Sequence, residues 1–141
     1  MIRITGEPLS PQDLLNLVKT EDSGSLVMHV AVVKPVSEGR EVVGIEFKIS
    51  KTDAERELSQ LATRICTQWE VEDIALCRRA GPLNFGEVIL IAAVSSARHK
   101  PAFEACQFAV EQMKKMKSVI KKEIFLEPSE ERKEAGSAGS R

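Results

Sequence analysis

An unbroken apolar run from Val88 to Val94 constrains this chain more than any other feature. It is far shorter than the roughly 20 residues an apolar helix needs to span a bilayer. With Glu87 before it and Ser95 and Ser96 after it, the run predicts a long, mostly buried strand over 87–96. Residues 26–33 are also almost wholly apolar and rich in β-branched side chains, which predicts a strand buried on both faces. Such strands need amphipathic cover, and three stretches have the period to supply it. Ser10 as N-cap with Pro11 at the first helical position opens a helix that fades near Thr20. Thr52 and Glu55 form a capping-box pair, followed at helical spacing by Ala54, Leu58, Leu61, Ala62, Ile65, Cys66 and Trp69. Pro101 starts a third helix whose apolar face runs through Ala102, Ala105, Cys106, Ala109, Val110 and Met113.

Shorter strands are expected at 2–5, 41–50 and 71–77, with turns at 21–24, 37–39 and 81–86 and a closing strand at 119–126. The order β-α-β-β-α-β-β-α, plus that strand, is an α+β layout: one domain, residues 1–126, with helices packed on a largely antiparallel sheet. Residues 127–141 hold Pro, Ser, Gly and charge with almost no apolar residue, and are expected to form a flexible tail.

A formal net charge of −1 provides no global field for nucleic acid or an anionic membrane. The absence of tyrosine and the single tryptophan argue against a base-stacking surface. The first residues lack the apolar core of a signal peptide, so a cytoplasmic location is expected. Three cysteines and two histidines show no metal-ligand spacing, so no metal is expected. Cys66 and Cys106 fall on apolar stripes and read as core residues. His29, inside an apolar strand, reads as a hydrogen-bonded structural histidine. Arg78 and Arg79 are neighbours on a strand, so at most one faces a given pocket.

Charge is concentrated in one place. Lys114, Lys115, Lys117, Lys121 and Lys122 gather where the last helix ends, and Arg98, His99 and Lys100 stand where it begins. A lysine run at a helix C-terminus is ordinarily a solvated end that suits the dipole. The other reading is an anion pocket, with Lys114, Lys117 and Lys121 on one face if the helix continues. In that reading the two basic groups meet only across a fold-back or between two copies of the chain.

The segment Gly81-Pro82-Leu83-Asn84-Phe85-Gly86-Glu87, followed by Val94-Ser95-Ser96-Ala97, resembles the large subunit of molybdopterin synthase. Ala102-Phe103-Glu104-Ala105-Cys106-Gln107, Lys114 and Lys121-Lys122-Glu123 continue the likeness without a gap, and Glu38-Gly39-Arg40-Glu41-Val42 and Ala54-Glu55-Arg56-Glu57-Leu58 fit it upstream. The resemblance covers roughly residues 25–125.

It implies a sulfurtransferase subunit that converts cyclic pyranopterin monophosphate to molybdopterin. The sulfur would come from a small ubiquitin-like carrier whose C-terminal Gly-Gly thiocarboxylate threads into the large subunit. It also implies a homodimer at the core of a heterotetramer, and no cofactor, because the pterin is substrate and product. Carried over by position, Lys114 would serve the carrier's thiocarboxyl end and proton transfer, and Lys121 would stabilise charge on the substrate. Lys34, Arg98 and His99 would bind substrate phosphate.

The chain departs from the family at several of these positions. Lys34 stands where the family has arginine, losing the two-pronged phosphate contact. Arg98-His99 reverses the family's His-Arg order, and Arg78-Arg79 replaces a His-Arg. Ser118-Val119-Ile120 replaces a Pro-aromatic-Trp wall, and a tryptophan expected near the C-terminus is missing. Such changes leave open a non-catalytic paralogue that binds the carrier or a related anionic ligand.

Overall fold

The computed structural model describes residues 1–37 and 39–125; the expected tail lies outside the described residues. The larger sheet has the order β1-β5-β7-β2, from β1 (Ile2–Thr5), β5 (Asp73–Arg79), β7 (Val88–Ser96) and β2 (Ser25–Val32). Among the described residues only the β1–β5 pair of this sheet is parallel, in keeping with a largely antiparallel reading. The apolar run from Val88 to Val94 becomes β7, paired on both sides and buried from Leu90 to Ser96.

Side-chain alternation divides the core. On β5, Ile74 and Leu76 face α2 (Lys51–Gln68) and α3 (His99–Met113), together with Leu90, Ala92 and Val94 of β7. Ala75, Cys77, Ile91 and Ala93 face the other way, onto α1 (Pro11–Val18). Three alanines on the buried face of α3 give the helix a smooth surface against the sheet.

A smaller antiparallel sheet is built on β4 (Arg40–Ile49), which pairs with β3 (Val36–Ser37), β6 (Gly81–Asn84) and β8 (Val119–Phe125). Its core is Val33, Ile45, Phe47 and Leu83. The two sheets meet where α3 ends, and the cavity described below opens there.

Several expectations need correction. β2 packs apolar residues on both faces but is the edge strand of its sheet, half-buried, with Val32 exposed. Apolar patterning reports on faces and is silent about edges. The stretch read as a turn at 81–86 is mostly strand: Pro82 pairs with Glu46 in β6, an edge position where a missing N–H costs nothing, and the turn is confined to Phe85 and Gly86. α2 starts earlier than the Thr52–Glu55 pair implied. Ser50 is its N-cap, and the Ser50 hydroxyl donates to Asp53 Oδ2 at 2.9 Å. α3 likewise begins at His99, before Pro101.

Cys66 is exposed, because it lies one residue beyond fully buried Ile65 and is therefore turned about 100° around the helix from the core. Cys77 and Cys106 are buried, and burial pushes both thiols up. Neither is a ready thiolate. His29 is half-buried, and its Nε2 is enclosed with no hydrogen-bond partner among the described residues, unlike the expectation. No described helix is long and apolar enough to cross a membrane.

Candidate functional site

The last helix does not continue through the lysine run. It ends at Met113, with Lys114 as its C-cap still in helical conformation (φ −72°, ψ −15°) and its N–H donating to Val110 O. The chain then turns through 115–118 and returns as β8. Lys114, Lys117 and Lys121 therefore do not share a helical face. Lys117 lies in the turn, whereas Lys121 stands opposite Phe47 on β4, with Val119 opposite Ile49. This fold-back brings Lys114 and Lys121 to the same cavity of about 390 Å³, walled by Phe47, Met113 and Val119 and floored by Arg78.

Arg78 follows Ile74 and Leu76 in the alternation of β5 and so points to the α3 side, where its Nη1 donates to Met113 O at 2.8 Å. Phe47 lies under the guanidinium, 4.9 Å from ring centre to Cζ. Arg79 points to the opposite face, bonding Gly6 O at 2.9 Å and Glu87 at 3.4 Å. Only one of the two reaches this cavity, as their spacing required. Arg78 was not among the site residues read from sequence. Strand parity places it on a face, but only the long-range packing of α3 shows what occupies that face.

A carboxylate fixes the turn between the two lysines. Glu57 on α2 accepts the N–H groups of Ser118 (2.7 Å) and Lys117 (3.2 Å). Partial burial works to raise the Glu57 carboxyl, but these hydrogen bonds outweigh it and hold the group below its ordinary 4.5. A depressed carboxyl contributes stability above its unfolded pKa, and that contribution is lost as pH falls through the lower folded value. Glu57→Gln is expected to cost about 1 to 2 kcal/mol at neutral pH, measured by urea unfolding. The variant should also lose this part of the decline in stability below pH 4.5. An unchanged acid limb would mean the clamp is not formed.

The remaining candidates lie elsewhere in the single chain. Arg98 and His99 are exposed at the start of α3, so 15 helical residues separate them from the cavity, about 22 Å along the axis. Arg98 is paired with Glu70 at 3.4 Å, both side chains largely exposed, an interaction worth about 0–1 kcal/mol. Lys34 is exposed just beyond β2, following Val33, whose backbone pairs with Gly86 and Glu87. It does not line the cavity. Among the described residues no group of three or more His, Cys, Asp or Glu is arranged to hold a metal.

The model of the MoaE protein family matches residues 4–116 of this chain. The molybdopterin synthase catalytic subunit of Bacillus subtilis is 30% identical over 122 residues, 86% of this chain and 78% of that protein. The crystal structure of molybdopterin synthase from Staphylococcus aureus superposes with a TM-score of 0.83 at 26% identity, covering 88% of this chain and 90% of that one. A protein–protein complex of subunits 1 and 2 of the molybdopterin-converting factor from Helicobacter pylori has a chain that superposes with a TM-score of 0.72 at 16% identity, with 90% of both chains covered. At that identity the likeness concerns the fold alone.

Proposed function

This chain belongs to the MoaE protein family, and on that premise we propose that it acts as the catalytic subunit of a molybdopterin synthase, taking sulfur from a small ubiquitin-like carrier and placing it on cyclic pyranopterin monophosphate. The observation that carries the reading is the convergence of Lys114 and Lys121 on one cavity by the fold-back of β8. The reaction brings an anionic thiocarboxylate to an anionic cyclic phosphate. Two such charges 4 Å apart repel by about 4 kcal/mol at an effective dielectric of 20, so the pocket must supply fixed cations. Lys114, fixed at the end of a buried helix, meets the carrier's thiocarboxyl terminus and serves the proton transfer that accompanies sulfur attack on the pterin. Lys121 stabilises charge on the pterin as the cyclic phosphate opens. The scheme needs no resident cofactor.

Arg98, His99 and Lys34 bind the substrate phosphate in this reading, with Arg98 and His99 supplied by a second copy of the chain. Two copies related by a two-fold axis across α3 place their helices antiparallel, and the start of one then lies beside the end of the other. The α3–β2 face has the character of such a contact: Phe103 is 60% exposed, Val32 is exposed, and a cleft of about 510 Å³ runs between helix and strand. Phe103→Asp is expected to yield a monomer in sedimentation velocity and to lose most activity. A dimer that persists would place the contact on another face. The carrier docks on each large subunit to complete a heterotetramer, and the reaction is cytoplasmic.

A single-turnover assay with thiocarboxylated carrier and cyclic pyranopterin monophosphate tests the whole reading. Molybdopterin is the expected product, read as its fluorescent oxidised derivative. Carrier that binds without product, across several cognate carriers, would instead identify a non-catalytic paralogue.

A further inference from the structure

One cation in the cavity has no part in the scheme above. Arg78 is 5% exposed, and none of the ion pairs among the described residues engages it. Its single hydrogen bond among the described residues runs from Nη1 to Met113 O. The edge formed by Nε–H and Nη2, which point the same way, can grip a carboxylate or phosphate with two parallel bonds. That edge is unused: Nε is buried with no partner, and Nη2 has none among the described residues. Phe47 lies against the guanidinium, and Arg78 lines the cavity that Lys114 and Lys121 share. Burial pulls Arg78 down to about 10, so it remains a cation at neutral pH. A buried charge with no counter-charge and an unmade donor bond are both costly, and a purely helix-anchoring role would need neither.

We propose that Arg78 is a two-point oxyanion anchor, offering Nε–H and Nη2 to a carboxylate or phosphate group that enters the cavity past Lys114 and Lys121. The identity of the anion rests on the synthase reading; the free donor edge does not. Two groups in that reaction have the required chemistry, the carrier's C-terminal carboxylate, formed as sulfur leaves, and the phosphate of the pterin. Lysine at this position would keep the charge and a bond to Met113 O but lose the paired donors.

The test begins with the unaltered, isotope-labelled full chain titrated with inorganic pyrophosphate while the Nε–H resonance of Arg78 is followed. A saturable shift of that resonance is expected. Arg78→Lys should lose about tenfold or more in pyrophosphate affinity, with its melting temperature within about 3 °C of the parent. A resonance that stays still while the lysine signals move would overturn the proposal, and so would unchanged affinity in a folded Arg78→Lys. The source is then separated with carrier ending in a carboxylate or in an amide. If the tail is the ligand, the carboxylate form binds about tenfold tighter to the parent and no tighter to Arg78→Lys. If the pterin is the ligand, that ratio is unaffected by the substitution, and cyclic pyranopterin monophosphate instead loses about tenfold in affinity. Failure of both couplings counts against the anchor. A saturable pyrophosphate shift in a protein that forms no molybdopterin would keep the anchor and remove the synthase reading.

Discussion

Lys114→Ala is expected to reduce single-turnover molybdopterin formation by about 1,000-fold or more, while the small carrier still binds. The side chain sits at the C-cap of α3, and Met113 before it is fully buried and tied through its carbonyl to Arg78. Lys114 itself is exposed, so its removal opens no core cavity and should leave the melting temperature nearly unchanged. The loss should therefore be chemical. Removing a group that both neutralises the thiocarboxylate and carries a proton deletes two contributions that are largest in the transition state. Carrier affinity rests mainly on the docked surface outside the cavity and should change by less than about tenfold. Near-normal turnover in this variant would remove Lys114 from the mechanism and leave the cavity as a binding pocket.

Activity should return when two dead variants are combined. Chains carrying Lys114→Ala and chains carrying Arg98→Ala with His99→Ala are each expected to be inactive alone. If every site takes its lysines from one copy and Arg98 and His99 from the other, a mixed dimer has one intact site and one doubly damaged site. Random exchange of copies makes half of the dimers mixed, so about a quarter of the parent activity should reappear. The 15 residues of α3 keep the two groups about 22 Å apart in one chain, too far to touch one small substrate. Tagged heterodimers that form but stay inactive would show that Arg98 and His99 do not complete a site across the interface.

Local signals in the sequence proved reliable where one choice was available. Ser10 and Pro11 open α1 as read, and the Ser10 hydroxyl accepts the N–H of Asp13. At α2 two frames compete, Ser50 with Asp53 and Thr52 with Glu55, and nothing local ranks them; the earlier one is used. The α+β class and the central strand at 88–96 were legible because burial leaves a continuous apolar record. The edge position of β2 left no such record. For the site, periodicity left the lysine run between a solvated helix end and an anion pocket, although the closing strand that carries Lys121 was legible and is β8. Resemblance supplied the Lys114–Lys121 pairing, and the geometry that joins them is a turn and a strand. Arg78 was invisible as a site residue because its significance lies in what α3 leaves unpaired.

The Glu57 contact has a consequence for how β8 finds its place. Along that strand, Val119, Lys121, Glu123 and Phe125 lie on one side, and Ile120, Lys122 and Ile124 on the other. Each side carries apolar residues and a lysine, and Ile120 and Ile124 are exposed as it stands. Such a strand has little preference of its own for which side turns inward, and a slip of one residue would exchange them. The choice is made at its start, where Glu57 holds the N–H groups of Lys117 and Ser118 and Ser118 O accepts the N–H of Ser50. The length of the 114–118 turn is thus more tightly constrained than its composition. Losing one residue there would advance Lys122 into the slot of Lys121 and keep a cation in the cavity. Gaining one would put Ile120 in that slot and remove it.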